Sequence, residues 1–296
     1  MTEAVAQPTA TERWQALAVL VLGACVIGLA AILVRLSDAG SAATGFWRLV
    51  FATPLLAAMA WRAPGGIGRP SKWALWAGLF FALDLGFWHY GVHYTSVANA
   101  TVLTNLTPVV VTAFAWIFLR QRPRFLFLLA VAAAVCGASL MAIEKGGGAL
   151  RNQPLGDLLS LITAFWYALY FLTMAQGRRT ESASRLMFWA GIVGAPLLLA
   201  AAVALGEPLA PATLGGWVAC LGLGVMHVAG QGSIAWAMGR LPTPTASVVV
   251  LIQPVVAAIL GYVLFAEAIG PLQGLGAAIT LGGVVLAQRA SRPARD

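Results

Sequence analysis

Asp84 stands in Phe81-Ala82-Leu83-Asp84-Leu85-Gly86-Phe87-Trp88-His89-Tyr90, an otherwise apolar stretch. A carboxylate at the centre of a bilayer costs about 2.5–3.5 kcal/mol on insertion scales, so it must face a partner, water or a ligand. Two roles fit: a structural hydrogen bond or ion pair, with Arg48 as a partner, or a site for a substrate amine or a proton. Asp84 and Trp88 share one face at helical spacing. His89 and His93 make a second i, i+4 pair. No carboxylate accompanies them at ligand spacing, so they are read as hydrogen-bonding residues near the outer membrane interface and not as a metal site.

Further polar residues recur inside apolar runs. Thr101, Asn105 and Pro108 follow i, i+4, i+7 and share a stripe. Asn105 suits either a zwitterionic solute or a hydrogen bond between helices. Trp166 and Tyr170 share a face with Thr173, and rings with polar tips suit a pocket for an apolar or aromatic group as well as they suit core packing. His227 and Gln231 are again i, i+4, and Ser247, Gln253 and Pro254 follow. These groups can hold a small solute, and no catalytic motif accompanies them. There is no His-Glu-x-x-His, Gly-x-Ser-x-Gly or Walker motif. An enzyme, an ATP-driven pump and a cofactor are therefore not expected. Cys25, Cys136 and Cys220 lie in apolar segments without metal-ligand spacing.

Two stretches break the apolar pattern in the same way. Thr104-Asn105-Leu106-Thr107-Pro108-Val109-Val110 and Val250-Leu251-Ile252-Gln253-Pro254-Val255-Val256 each set a polar residue and a proline where a helix would be buried in lipid. Proline cannot donate a backbone hydrogen bond, and hydrocarbon offers no water to the carbonyl it frees. Paired breaks at corresponding places in two halves point to a binding site between moving halves.

The elements that must carry these residues are membrane spans. The chain has 296 residues, 60% hydrophobic and 9% charged, with a mean hydropathy of +0.85. A soluble domain carries roughly 25% charged residues. Ten apolar runs approach the length of a span, at 14–34, 43–61, 73–92, 98–119, 125–143, 155–176, 184–205, 212–234, 245–265 and 270–288. The expected class is an all-α polytopic membrane protein. Residues 1–13 and 289–296 form polar tails, and the polar start is not read as a cleavable signal. Trp14, Trp61, Trp73 and Trp217 sit at span ends as interface anchors.

Net charge is +8, but the basic residues recur between spans and form no single patch, so nucleic acid is not an expected partner. With the N-terminus inside, inner segments hold Arg13, Arg62, Arg69, Lys72, Arg120, Arg122, Arg124, Arg178, Arg179, Arg185, Arg240, Arg289, Arg292 and Arg295. Outer loops hold only Lys145 and Arg151, while Arg35 and Arg48 fall within or beside spans. Cytoplasmic loops carry the excess of Lys and Arg, so both termini are expected in the cytoplasm.

The chain also repeats. An offset of 146 pairs Pro108 with Pro254, Val109 with Val255, Gly137 with Gly283 and Leu140 with Leu286. An offset of 142 pairs Trp47 with Trp189 and Pro54 with Pro196. One five-span unit over 14–144 and a second over 155–288, joined by an outer linker at 145–154, accounts for both. An odd number of spans puts the second unit upside down, a common plan of secondary transporters. Gly270-x-x-x-Gly274 and Gly282-Gly283 are read as close-packing positions.

Ten spans, two five-span units and the proline of the fourth and ninth spans together resemble the EamA-type permeases of the drug/metabolite transporter superfamily. Arg48 in Phe46-Trp47-Arg48-Leu49 and Arg35 match basic positions of that family, and Glu267 matches its acidic residue ending the ninth span; the first unit has Gln121 instead. The resemblance covers roughly residues 14–288. With 11 Trp, the chain looks most like the YddG-type aromatic amino-acid exporters. The resemblance implies helices around a central cavity, a bacterial cytoplasmic (inner) membrane location, a monomer, and export of amino acids and related metabolites. Asp84, Trp88, Thr101, Asn105, Trp166, Tyr170, His227, Gln231, Ser247 and Gln253 are the expected substrate contacts, with Pro108 and Pro254 as hinges. Other readings stay open: exporter of another small metabolite or drug, or a sugar-phosphate-type exchanger, although the scarcity of membrane lysines disfavours the last.

Overall fold

Large apolar side chains cover the outside as well as filling the core, and several polar ones are buried. Trp61, Phe125 and Leu214 are 78%, 81% and 81% exposed, whereas Arg48, Asp84, His89, Asn105, His227 and Gln231 are buried. So apolar an outer surface is unlike that of a water-soluble protein, and it suits a bilayer as solvent. The computed structural model describes residues 10–94, 103–118, 120, 122–144, 153–265 and 270–290. All regular structure among them is helical, a form that bonds backbone groups within their own segment where there is no water to bond.

The helices are α1 (Ala10–Gly28), α2 (Ala30–Leu36), α3 (Ser41–Arg62), α4 (Lys72–Tyr94), α5 (Thr107–Ile117), α6 (Phe125–Glu144), α7 (Gln153–Gly177), α8 (Ala183–Ala204), α9 (Leu214–Met226), α10 (Gly232–Met238), α11 (Thr243–Val249), α12 (Ile252–Phe265) and α13 (Pro271–Ala290). A π-helical turn, His227–Gln231, joins α9 to α10. Seven stretches of the described residues are long and apolar enough to cross a membrane: Thr11–Val34, Ser41–Arg62, Pro154–Gly177, Ala183–Ala204, Leu214–Met238, Thr243–Leu260 and Pro271–Ala290. Thr107–Ile117 and Phe125–Met141 are shorter apolar helices. α4 is 23 residues long, but its polar residues, Asp84 and His89 among them, keep it out of that set.

Helices of the two halves pack on each other. α6 lies along α13, and α3 along α8. α4 packs on α7 and α8, while α1 packs on the π turn, α10 and α12. The α6–α13 contact is backbone-close: a Cβ on Gly137 would stand 2.5 Å from the Thr280 nitrogen, and one on Gly276 would stand 2.5 Å from the Gly137 oxygen. The expectation for the glycines holds at Gly283 and is corrected at Gly274 and Gly282. Gly276 and Gly283 make the close approach, whereas Gly274 and Gly282 face open space. A repeat of small residues does not say which side of its helix meets a neighbour.

The paired breaks are real and alike. Asn105-Leu106 and Val250-Leu251 are turns in otherwise helical runs. Each tightens to i→i−3 bonding, with Leu106 N–H donating to Leu103 O at 3.2 Å and Leu251 N–H to Val248 O at 3.1 Å. The prolines do not kink a continuous helix. Pro108 and Pro254 stand in the first turn of the helix that restarts, where the missing N–H has no intrahelical duty. Pro108 still leaves the Thr104 carbonyl without its usual partner, and the Thr107 hydroxyl donates to it at 2.8 Å. In the second half Gln253 N–H takes the corresponding carbonyl, Val250 O, at 3.0 Å. The first expected span breaks as well, at Leu29, where a Cβ on Gly28 would stand 3.2 Å from the Gln253 oxygen.

Carboxylates tie the loops at one end. Glu207, after α8, accepts Ala42 and Ala43 N–H at 2.9 and 3.1 Å, filling the N-terminus of α3, and takes the Tyr90 hydroxyl on its other oxygen. In return Asp38, before α3, accepts Thr213 and Ala212 N–H at 2.9 and 3.2 Å at the start of α9. Hydrogen bonds from Thr213 hold the Asp38 carboxyl below its ordinary range. The opposite end is basic: Arg185 donates to Arg69 O at 2.9 Å, and Arg178 donates to Ala235 O at 3.0 Å. Thr101, Gln121, Glu267, Lys145, Arg151, Arg292, Arg295 and most of the 145–154 linker lie outside the described residues, as do residues 1–9.

Candidate functional site

Phe81 is where the polar residues of the interior meet. Its ring lies 4.9 Å from that of Tyr170 on α7 and 5.2 Å from that of His227 in the π turn. The Arg48 guanidinium carbon, from α3, stands 5.6 Å from the same ring. One turn along α4, Asp84 interacts electrostatically with Arg48, Tyr167 and Tyr170. Gln231 sits beside both tyrosine hydroxyls, whose rings stack at 6.0 Å. Four elements thus place an acid, a base, an imidazole, an amide and two phenols around one phenyl ring.

The π turn makes this convergence possible. Gly232 N–H reaches back to the His227 carbonyl, so the turn carries one residue more than an α-helical turn. That extra residue rotates the side chains that follow and frees backbone groups, which is why such bulges concentrate at functional sites. The turn is pressed against α1, where a Cβ on Gly23 would stand 2.7 Å from the Gly230 oxygen. His227 and Gln231 are 3% and 2% exposed, yet His227 Nδ1 has no hydrogen-bond partner. Buried polar atoms left unpaired cost about 1–3 kcal/mol each, a burden a ligand can relieve.

The expected contacts divide into groups. Asp84, Tyr170, His227 and Gln231 come together at Phe81. Asn105 is buried at the first break with Nδ2 unpartnered, and Gln253 Nε2 is likewise buried and unpartnered at the second. Trp166 lies apart, its ring 6.0 Å from Phe80 and 6.2 Å from Phe87. Trp88 packs beside His89 at 5.1 Å. Ser247 spends its hydroxyl on Pro244 O at 2.7 Å within its own helix. A cleft of about 160 Å³ near Trp73, Phe80, Phe118 and Thr173 is apolar and includes none of the central polar residues.

His89 corrects one part of the sequence reading, that it hydrogen-bonds: it is 7% exposed, and neither ring nitrogen has a hydrogen-bond partner. Tyr167 and Phe81 escaped notice because aromatic residues are abundant on both helices and only packing shows which ring turns inward. The π turn left only a faint trace, in the His-Val-Ala-Gly-Gln sequence between two apolar helices. Among the described residues no cluster of three or more His, Cys, Asp or Glu is arranged to hold a metal ion.

The profile of the EamA-like transporter family matches residues 14–143 and 154–288, and that of Solute carrier family 35 matches residues 88–203. An uncharacterized transporter of Archaeoglobus fulgidus is 26% identical over 92% of this chain and 96% of its own. A probable terminal-alkyne amino-acid exporter of Streptantibioticus cattleyicolor is 27% identical over 88% of each chain. A crystal structure 18% identical aligns with a TM-score of 0.78 over 94% of this chain and 98% of that one, so the two share a fold. The chain belongs to the EamA-like transporter family: it is a multi-pass membrane transporter for a small molecule, and not an enzyme.

Proposed function

We propose that this transporter exports amino acids, especially aromatic or hydrophobic ones, and related metabolites by alternating access. The observation that carries the reading is the group around Phe81, where buried opposite charges and unpaired hydrogen-bonding groups share one space with a row of rings. A free amino acid presents that combination, with two charges at one end and an apolar body at the other. The exporter name of the Streptantibioticus relative supports the same class. Asp84, Tyr170, His227 and Gln231 contact the solute directly, joined by Asn105 and Gln253 at the breaks. Trp88 and Trp166 flank the route, with Ser247 as an outlying polar position; Thr101 is kept as a further contact on sequence grounds alone.

Ten spans in two inverted five-helix units, 14–144 and 155–288, form the moving frame. Support comes from exchanged packing: α6 meets α13, α3 meets α8, and the α4–α7 contact is mirrored by that of α1 with the π turn and α10. The tightened turns before Pro108 and Pro254 are the hinges. Both termini lie on the cytoplasmic side of a bacterial inner membrane, which puts the Asp38–Glu207 ties outside and the Arg178–Arg185–Arg240 end inside. The protein acts as a monomer.

The test is flux in proteoliposomes loaded with labelled phenylalanine, challenged by a panel of amino acids with and without an imposed pH gradient. Aromatic and large apolar amino acids should compete, and small acidic ones should not. Absence of competition by every amino acid would remove the substrate class. Stimulation by the gradient would add proton coupling to the mechanism.

A further inference from the structure

Arg48 is the buried charge that the expected contacts leave out. It is 7% exposed, comparable to Asp84 at 8%. Its Nε–H has no hydrogen-bond partner. It interacts electrostatically with Asp84, yet among the described residues no direct ion pair joins the two side chains. A guanidinium and a carboxylate held near each other in a low-dielectric interior would be expected to close into a pair, since separated buried charges are costly. Here the Phe81 ring supports the guanidinium from one side, a cation–π contact that holds it in place. Tyr167 and Tyr170 stand beside both charges.

We propose that Arg48 anchors the carboxylate of the transported solute while Asp84 receives its ammonium group, so that the pair recognises a zwitterion and neither half of one. This rests on the amino-acid reading above and adds the group that reads the acid end. A guanidinium binds a carboxylate through two parallel N–H donors. A carboxylate accepts an ammonium, and in an α-amino acid the two charges are one carbon apart, which suits a bridge between opposite charges. His89 and His227, the other titratable groups interacting with Arg48, then border the bridged charges. The solute's side chain extends along the Phe81, Tyr170 and Tyr167 rings. An amine lacking the carboxylate leaves Arg48 unmatched; an acid lacking the ammonium leaves Asp84 unmatched.

The experiment measures equilibrium binding to the purified full chain in nanodiscs, with L-phenylalanine, 2-phenylethylamine and 3-phenylpropionate as probes. The parent should bind phenylalanine at least about tenfold more tightly than either fragment, the discrimination expected of one unmatched charge. Arg48→Gln should weaken phenylalanine about tenfold or more while changing phenylethylamine less than about twofold, and Asp84→Asn should erase the disadvantage of phenylpropionate. Equal loss of phenylalanine and phenylethylamine in Arg48→Gln would show a merely structural arginine and overturn the proposal. If Arg48→Gln does not fold, Arg48→Lys keeps the charge and loses the two-donor fork; it should weaken phenylalanine selectively, and a uniform effect on the probes would overturn the proposal. Tight phenylalanine binding by every variant sinks this inference alone. A parent that binds no amino acid sinks the amino-acid reading and this inference with it.

Discussion

Substituting Gly276 by alanine tests the packing of the two halves in a way the sequence pattern cannot anticipate. The added Cβ would stand 2.5 Å from the Gly137 oxygen, 2.7 Å from Met141 Cγ and 2.9 Å from the Met141 nitrogen. Comfortable separations between non-bonded carbons are about 3.5–4.0 Å, so the overlap is on the order of 1 Å. Two of the obstacles are backbone atoms and cannot swing aside, so α6 and α13 must separate. Overpacking of this kind costs about 1–3 kcal/mol. Against it, alanine favours a helix over glycine by about 0.8–1.0 kcal/mol. Gly274→Ala has that gain without the clash, because nothing lies within 4 Å of its Cβ. The two variants should therefore differ by about 1–3 kcal/mol, with Gly276→Ala the less stable and Gly274→Ala equal to or above the parent. Thermal unfolding in one detergent, followed by tryptophan fluorescence, measures the difference. If Gly274→Ala falls as far as Gly276→Ala, the assigned helix face is wrong.

Three further outcomes follow from the loops and breaks. Glu207→Ala strips the acceptor from Ala42 N–H, Ala43 N–H and the Tyr90 hydroxyl and should lower stability by about 1–3 kcal/mol, with Glu207→Gln losing less; an alanine variant as stable as the parent would contradict the tie. Asp38 has a carboxyl held below its ordinary value, so its contribution is complete above the unfolded aspartate value of about 3.9 and fades as pH falls through the lower folded value. Stability against pH should thus decline in acid for the parent and decline less for Asp38→Asn; identical acid limbs would refute this. Thr107→Val removes the hydroxyl that serves the Thr104 carbonyl and should cost about 1–3 kcal/mol, whereas Thr107→Ser should be close to neutral in the same unfolding assay.

Much of the architecture could be read from the chain. Runs of apolar residues broken by Pro, Gly and Arg mark the helices, because in lipid a span must be apolar over its whole length. The paired breaks at Pro108 and Pro254 were legible for the same reason, since a missing N–H has a fixed consequence wherever it stands. Asp84 was legible because a carboxylate in an apolar run needs a partner.

Faces were not legible. These helices are apolar all round, so periodicity cannot point to the side that meets a neighbour. Trp166 and Tyr167 are adjacent on one helix, and tertiary packing turned Tyr167 toward Asp84 and left Trp166 among Phe80 and Phe87. The same packing chose Gly276 over Gly274. It also made the π turn, whose extra residue is held by the approach of Gly230 to Gly23 on α1, a contact between residues far apart in the chain. Hydrophobicity settles which segments enter the membrane; only the meeting of one helix with another settles which side chains of each look inward, and that meeting is what gathers Arg48, Asp84 and His227 around Phe81.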